Sequence, residues 1–190
     1  IDTILSDGLR TTAETYQFDI LILATGFDAM TGTLSRMDIR GAAGKPLNDK
    51  WSAGPRPYLG LGVHEFPNLY LVTGPGSPSV LSNMIVSIEQ HVDFITDMMS
   101  YMREHNYETF EADLNAENLW VDHVNEVAES TLFPKGGSWY LGANIPGKPR
   151  KYLLNSGGRP KLFSIIQDVK DNDYAGFRRS RCAAEAGAGR

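Results

Sequence analysis

The sequence predicts an α/β fold with helices packed on a sheet, and three features carry that reading. Phe18-Asp19-Ile20-Leu21-Ile22-Leu23-Ala24-Thr25-Gly26 is an apolar run closing on small residues, the pattern of a strand covered on both faces. Asn83 to His105 places apolar residues at helical spacing. Shorter strand-like runs, bounded by glycine and proline, are interspersed with helical patterns. The fold is not expected to be self-contained. A parallel neighbour for the 18–25 strand needs a crossover unit that the preceding 17 residues cannot supply, so its partners are expected upstream.

In chain order, Asp2 to Leu5 and Leu9 to Thr12 flank Ser6-Asp7-Gly8, where Asp-Gly favours a tight hairpin. After the apolar run comes a loop-rich stretch with Gly41, Gly44, Pro46, Gly54, Pro55 and Pro57, then strand candidates at Tyr58 to Leu61 and Leu69 to Thr73. Gly74-Pro75-Gly76-Ser77-Pro78 reads as a rigid loop leading into the first long helix. There Met84, Ile88, Val92, Ile95, Met98 or Met99 and Met102 form the expected buried stripe. A second helix is expected from Asn115, as its N-cap, to Phe133, with Leu119, Trp120, Val124, Val127 and Ala128 clustered. Residues 135–150 are rich in glycine and proline around Trp139 and Tyr140 and read as a long loop, a class of segment that is often functional. A strand at Tyr152 to Leu154, a helix near Pro160 to Val169, and a frayed tail after about Phe177 complete the pass.

A chain of 190 residues, 42% hydrophobic and 22% charged, has enough apolar content for a core and excludes disorder throughout. A net charge of −5 leaves no basic footprint for nucleic acid beyond Arg178, Arg179 and Arg181. Cys182, the single cysteine, has no intrachain partner for a disulfide, and together with the absence of any membrane-length run or signal peptide this points to the cytoplasm. The chain begins at Ile1 rather than Met, a hint that this is not the natural beginning.

Several chemistries lack their residues. Gly60-Leu-Gly62 and Gly74-Pro-Gly76 miss the third glycine of a dinucleotide loop, and prolines occupy the helix start. No phosphate-binding P-loop and no G-x-S-x-G elbow is present. His64, His91, His105 and His123 lack partners at metal-site spacing, so no metal is assigned and they read as satisfied surface histidines. Lys148 and Arg150 read as solvated loop charges.

Three segments, in order, carry a resemblance. They are Leu23-Ala24-Thr25-Gly26-Phe27-Asp28; Gly74-Pro75-Gly76-Ser77-Pro78-Ser79-Val80-Leu81-Ser82-Asn83-Met84 with Ser87-Ile88-Glu89-Gln90-His91; and Ser138-Trp139-Tyr140-Leu141-Gly142-Ala143-Asn144-Ile145-Pro146-Gly147-Lys148. Together they make residues 1 to 177 similar to the type I Baeyer-Villiger monooxygenases. Leu154-Asn155-Ser156-Gly157-Gly158-Arg159 departs from the more aromatic sequence expected around that glycine pair.

The resemblance implies the C-terminal part of a Rossmann-like flavoprotein with two dinucleotide-binding domains. Residues 1–25 would end the NADP domain and return, residues 26–177 would close the FAD domain with a cofactor-responsive loop at 135–150, and residues 178–190 would be a disordered tail. FAD and NADPH are the implied cofactors, and a ketone and molecular oxygen the substrates, giving an ester or lactone through a C4a-peroxyflavin. No catalytic residue falls in this stretch, and the chain alone is expected to be inactive. Asn83 and Met84 would touch FAD, and Trp139 would touch the nicotinamide cofactor. Ser79, Val80, Leu81 and Met84 would line the ketone pocket. Periodicity alone instead makes Met84 the first core residue of its helix and Trp139 a hydrophobic anchor. Nitrogen or sulfur oxygenation, and a separate non-catalytic binding module, remain as other readings.

Overall fold

A computed structural model describes residues 1–79 and 81–181. The chain opens on a three-stranded antiparallel sheet of β1 (Thr3–Ile4), β2 (Gly8–Arg10) and β3 (Thr15–Gln17). Thr3 pairs with Arg10 and Ile4 with Leu9, which is the hairpin that Asp-Gly favours. β3 is an addition to the sequence reading. Its backbone comes so close to Gly8 that a Cβ there would stand 1.9 Å from the Tyr16 carbonyl oxygen.

The expected strand at 18–25 does not form. Residues 18–28 have no regular structure, and Ile20, Ile22, Leu23 and Phe27 are exposed. A strand is held by ladder hydrogen bonds and face packing, and no described segment supplies either to this run.

Two short helices, α1 (Gly32–Arg36) and α2 (Leu47–Lys50), precede an antiparallel pair, β4 (Gly62–Val63) and β5 (Phe66–Tyr70). The strands expected at 58–61 and 69–73 are therefore displaced. Tyr58 only bridges to Gly62, and β5 ends where the second was to begin. The second pair is β6 (Tyr107–Ala112) with β7 (Phe177–Arg181), so 178–181 are strand rather than tail, while residues 182–190 with Cys182 lie outside the described residues. Asn68 joins the two pairs. In the left-handed region at φ 60°, its amide donates to the Glu108 carbonyl at 3.0 Å and accepts from the Phe110 N–H at 3.1 Å, standing in for a ladder that the bent backbone cannot make.

Three longer helices cover this framework: α3 (Met84–Glu104), α4 (Leu114–Glu129) and α5 (Arg159–Asp171). Asp113, not Asn115, caps α4 by accepting from the N–H groups of Asn115 and Ala116, and the helix stops four residues before Phe133. The main core joins Leu59, Phe94, Met98, Phe110, Trp120 and Ile166, while Leu47, Trp51, Val63 and Phe66 form a second cluster. Between the clusters the fully buried Glu117 accepts from the His64 N–H at 2.8 Å and pairs with Lys50 at 2.9 Å.

On α3 the buried face is Ser87, His91, Phe94 and Met98; of the expected stripe Met98 is buried and Ile95 and Met102 pack against the core. Ile88, Val92 and Met99 are exposed, as is Leu119 on α4. A count of apolar residues alone discards Ser87 and His91, the two polar positions that turn inward. His91 is only 1% exposed, so it is not the surface histidine that the sequence suggests. No helix among the described residues is long and apolar enough to cross a membrane.

Candidate functional site

The segment from Gly74 to Met84 is fixed from several sides. The Gly74 N–H donates to the Gly60 carbonyl, Gly76 N–H to the Leu153 carbonyl at 2.8 Å, and Asn155 N–H to the Pro78 carbonyl at 2.9 Å. The buried Ser77 hydroxyl donates back to the Gly74 carbonyl at 2.8 Å. Gly60 permits this approach, because a Cβ there would stand 2.3 Å from the Ser77 Oγ. The expected strand at 152–154 is thus an irregular brace rather than a ladder member.

His91 anchors the loop from α3. Its Nδ1 accepts from the Thr73 N–H at 3.0 Å, which makes Nε2 the protonated nitrogen of the neutral ring. Burial lowers its pKa to about 4, only partly offset by the Leu71 backbone. A neutral imidazole is what the Thr73 N–H requires.

At the end of the loop Asn83 caps α3, its side chain accepting from the Ile85 N–H at 3.0 Å. The N–H groups of Met84 and Val86 have no intrahelical acceptor by position, and with the helix dipole they form a donor edge for a carbonyl or anionic oxygen. Asn83 is exposed and Met84 half-buried, with the exposed Leu81, Ile85, Ile88 and Val92 alongside.

Ser79 and Leu81 line a common cavity of about 350 Å³ with Tyr140, Tyr152, Asn155 and Arg159. Val80 lies outside the described residues. Neither Met84 nor Trp139 lines that cavity. The last four of its lining residues were missed by the sequence reading. The departure at 154–159 takes in Asn155 and Arg159, Tyr140 belongs to the third motif, and nothing in the sequence marked Tyr152.

In the 135–150 loop, the Ser138 Oγ accepts from the Tyr140 N–H, opening a 3-10 turn at Trp139–Leu141. Trp139 is 39% exposed and stands edge-on to Tyr140, 4.5 Å between centroids. Lys148 is not a solvated charge. It pairs with Asp28, and Asn144 donates to the Phe27 carbonyl at 2.9 Å, so the loop is tied to the end of the first motif. Arg150 donates to the Gly136 carbonyl. No group of three or more metal-ligating His, Cys, Asp or Glu residues occurs among the described residues.

No protein-family model matches the chain. Cyclohexanone 1,2-monooxygenase of Acinetobacter sp. is 42% identical over 161 residues, 85% of this chain and 29% of that protein. A Baeyer-Villiger monooxygenase of Pseudooceanicola batsensis is 38% identical over 178 residues, 93% of this chain and 32% of that protein. A closed crystal structure of cyclohexanone monooxygenase superposes with a TM-score of 0.90 at 36% identity, covering 96% of this chain and 34% of that one. Other similar structures hold NADP+, or FAD and NADP together. The chain spans about a third of the length of these relatives. Across nearly all of its own length it is related to the Baeyer-Villiger monooxygenases, flavoproteins of the Rossmann-like kind that its three motifs resemble.

Proposed function

We propose that this chain forms the C-terminal part of an FAD- and NADPH-dependent monooxygenase that inserts an oxygen atom into a ketone, giving an ester or lactone. The observation that carries the proposal is the braced Gly74–Pro78 loop delivering the donor edge of α3 beside a cavity, in a chain so similar to ketone monooxygenases. FAD, when bound and reduced by NADPH, supplies the oxygen chemistry.

The chain's own residues have positioning and shielding roles. Asn83 fixes the start of α3, and the N–H groups behind it stabilise negative charge on an oxygen held there. Met84 offers a polarisable apolar contact to the ring. Trp139, partly exposed on a tethered loop, covers the nicotinamide cofactor and excludes water. Ser79 and Leu81 form the wall on the ketone side. The remainder of the longer polypeptide covers the exposed apolar run at 20–27 and the Ile85, Ile88 and Val92 face, surfaces too apolar to remain wet.

The test is expression of the in-frame coding sequence extending upstream of Ile1, followed by product analysis with a ketone panel. Ketone-dependent NADPH oxidation with an ester product is expected. Products oxygenated only at nitrogen or sulfur, or a stop codon directly upstream, would overturn the reading. Trp139→Ala is expected to weaken NADPH use and raise hydrogen peroxide release. An unchanged NADPH Michaelis constant with a sharply lowered melting temperature would return Trp139 to the role of core anchor. The 190-residue chain alone is expected to retain no FAD through desalting, because it lacks a dinucleotide-binding glycine loop.

A further inference from the structure

The cavity of about 350 Å³ that holds Ser79 and Leu81 has an unusual charge balance. Among its lining residues Arg159 is the one charged group, and no carboxylate faces it. Arg159 enters none of the ion pairs among the described residues. Its Nε is shielded from solvent and has no hydrogen-bond acceptor among them, and its guanidinium lies 5.8 Å from the centroid of Phe163. A guanidinium is always charged, and a buried N–H without an acceptor is a standing cost that an incoming anion removes.

The rest of the lining suits an acidic ligand with an apolar body. Leu81, Phe133, Leu154 and Pro160 supply apolar wall, while Tyr140 and Ser156 add hydroxyls. α5 begins at Arg159 with no side-chain cap on its first turn, so the helix dipole adds to the positive potential at the same end. The volume lies within the range of small-molecule sites rather than that of a lone ion.

We propose that this cavity receives the carboxylate end of the substrate, with the Arg159 fork as its partner, and that the preferred substrates are keto acids rather than neutral ketones. The proposal rests on the ketone reading for its relation to chemistry, but the binding site itself is testable apart from it. The keto group would lie toward Ser79 and Leu81, the carboxylate toward Arg159.

The experiment uses the longer polypeptide expressed from the in-frame coding sequence, with its arginines labelled with nitrogen-15, and follows the Arg159 Nε–H resonance, assigned by its loss in Arg159→Leu, by NMR at constant ionic strength. Levulinate, a small keto acid, is titrated against pentan-2-one, its neutral counterpart, and against inorganic phosphate. A saturable shift of Arg159 Nε–H with levulinate, absent with pentan-2-one and weaker with phosphate, is expected. Arg159→Leu should weaken levulinate binding roughly ten- to hundredfold, the scale of a lost charge-assisted contact, and Arg159→Lys should recover part of it. No response to levulinate, or equal responses to levulinate and pentan-2-one, would overturn the site. A phosphate response as strong as that to levulinate would reduce it to a bare anion site and overturn the keto-acid assignment. Absence of ester product from the longer polypeptide, with levulinate binding intact, would instead fail the proposed activity and leave the site standing.

Discussion

Acid should loosen this protein through His91 before general carboxylate protonation does. Burial lowers its pKa from 6.5 to about 4 in the folded chain, and the unfolded chain restores the ordinary value. Between these two pH values the unfolded state binds a proton that the folded state refuses. The stability contribution is therefore fully present above about 6.5 and is lost progressively as pH falls toward 4. At about 1.4 kcal/mol per pH unit, the gap between 6.5 and about 4 amounts to ~3 kcal/mol, a large share of a typical domain's stability. The mechanism is local, because the neutral Nδ1 is the acceptor for the Thr73 N–H and a protonated ring has no lone pair to offer.

The assay is urea unfolding followed by circular dichroism at several pH values from 7.5 to 4.5, comparing wild type with His91→Asn. Asparagine keeps an acceptor near Nδ1 but does not titrate. At pH 7.5 the variant should be less stable by about 1 to 3 kcal/mol, from lost packing at a buried site. As pH falls, the two should converge or cross, because only the wild type carries the histidine penalty. Carboxylates common to both proteins cancel in the difference. Parallel stability curves, or an NMR titration placing His91 near 6.5, would refute the reasoning.

Three other perturbations follow from the fold. Glu117→Gln should cost about 3 to 5 kcal/mol in urea unfolding, because it leaves the Lys50 ammonium buried without its counter-charge; a loss below 1 kcal/mol would show that the pair is hydrated. Asn68→Ala should lose about 1 to 3 kcal/mol, since both of its bonds to β6 disappear, and Asn68→Gly should recover only the part due to the left-handed backbone. Lys148→Ala should quicken amide hydrogen exchange across 138–150 while leaving α3 unchanged, with a double-mutant coupling to Asp28 of about 1 kcal/mol; a coupling near zero would remove the tether.

What the sequence conveyed depended on how local the cause was. The Asp7-Gly8 hairpin and the extents of α3 and α5 were legible because turn chemistry and helical periodicity act within a few residues. The face of α3 was not, because Ser87 and His91 turn inward for hydrogen-bonding and packing reasons that an apolar count discards. The run at 18–25 carries a strand's composition and fails to be one here, because a strand is a property of a pair and its partners must be present. β6 and β7 meet across the 64 residues of chain between them, and β7 is rich in arginine, so nothing in its composition marks it as a strand. The motif residues at 74–84 and 138–148 were named from resemblance, while their braces at Gly60, Leu153, Asp28 and Phe27 belong to distant stretches that no spacing rule connects.

The two motif loops differ in how they are held, and the difference bears on function. The Gly74–Pro78 loop is fixed by backbone hydrogen bonds to Gly60, Leu153 and Asn155, by the buried Ser77 hydroxyl, and by a neutral histidine beneath it. Moving it would break several buried bonds at once. The 135–150 loop is short of such braces; beyond its own turns it rests on one partly buried ion pair at Asp28, one amide bond to Phe27, and the N–H groups of Lys151 and Leu153 donating to the Leu141 and Tyr140 carbonyls near its exit. Each tether is worth about 1 kcal/mol or less, so release requires little free energy. A rigid shelf together with a weakly tethered cover is the arrangement that the proposed oxygenating site would need. The shelf must hold its donors in place through a cycle, while the cover must admit and release a cofactor without disturbing them. Asp28 closes the Leu23–Asp28 motif, so the point that grips the cover lies in the stretch that the resemblance places at the entry to the FAD domain. Any shift of that entry segment would act on the cover before it reached the shelf.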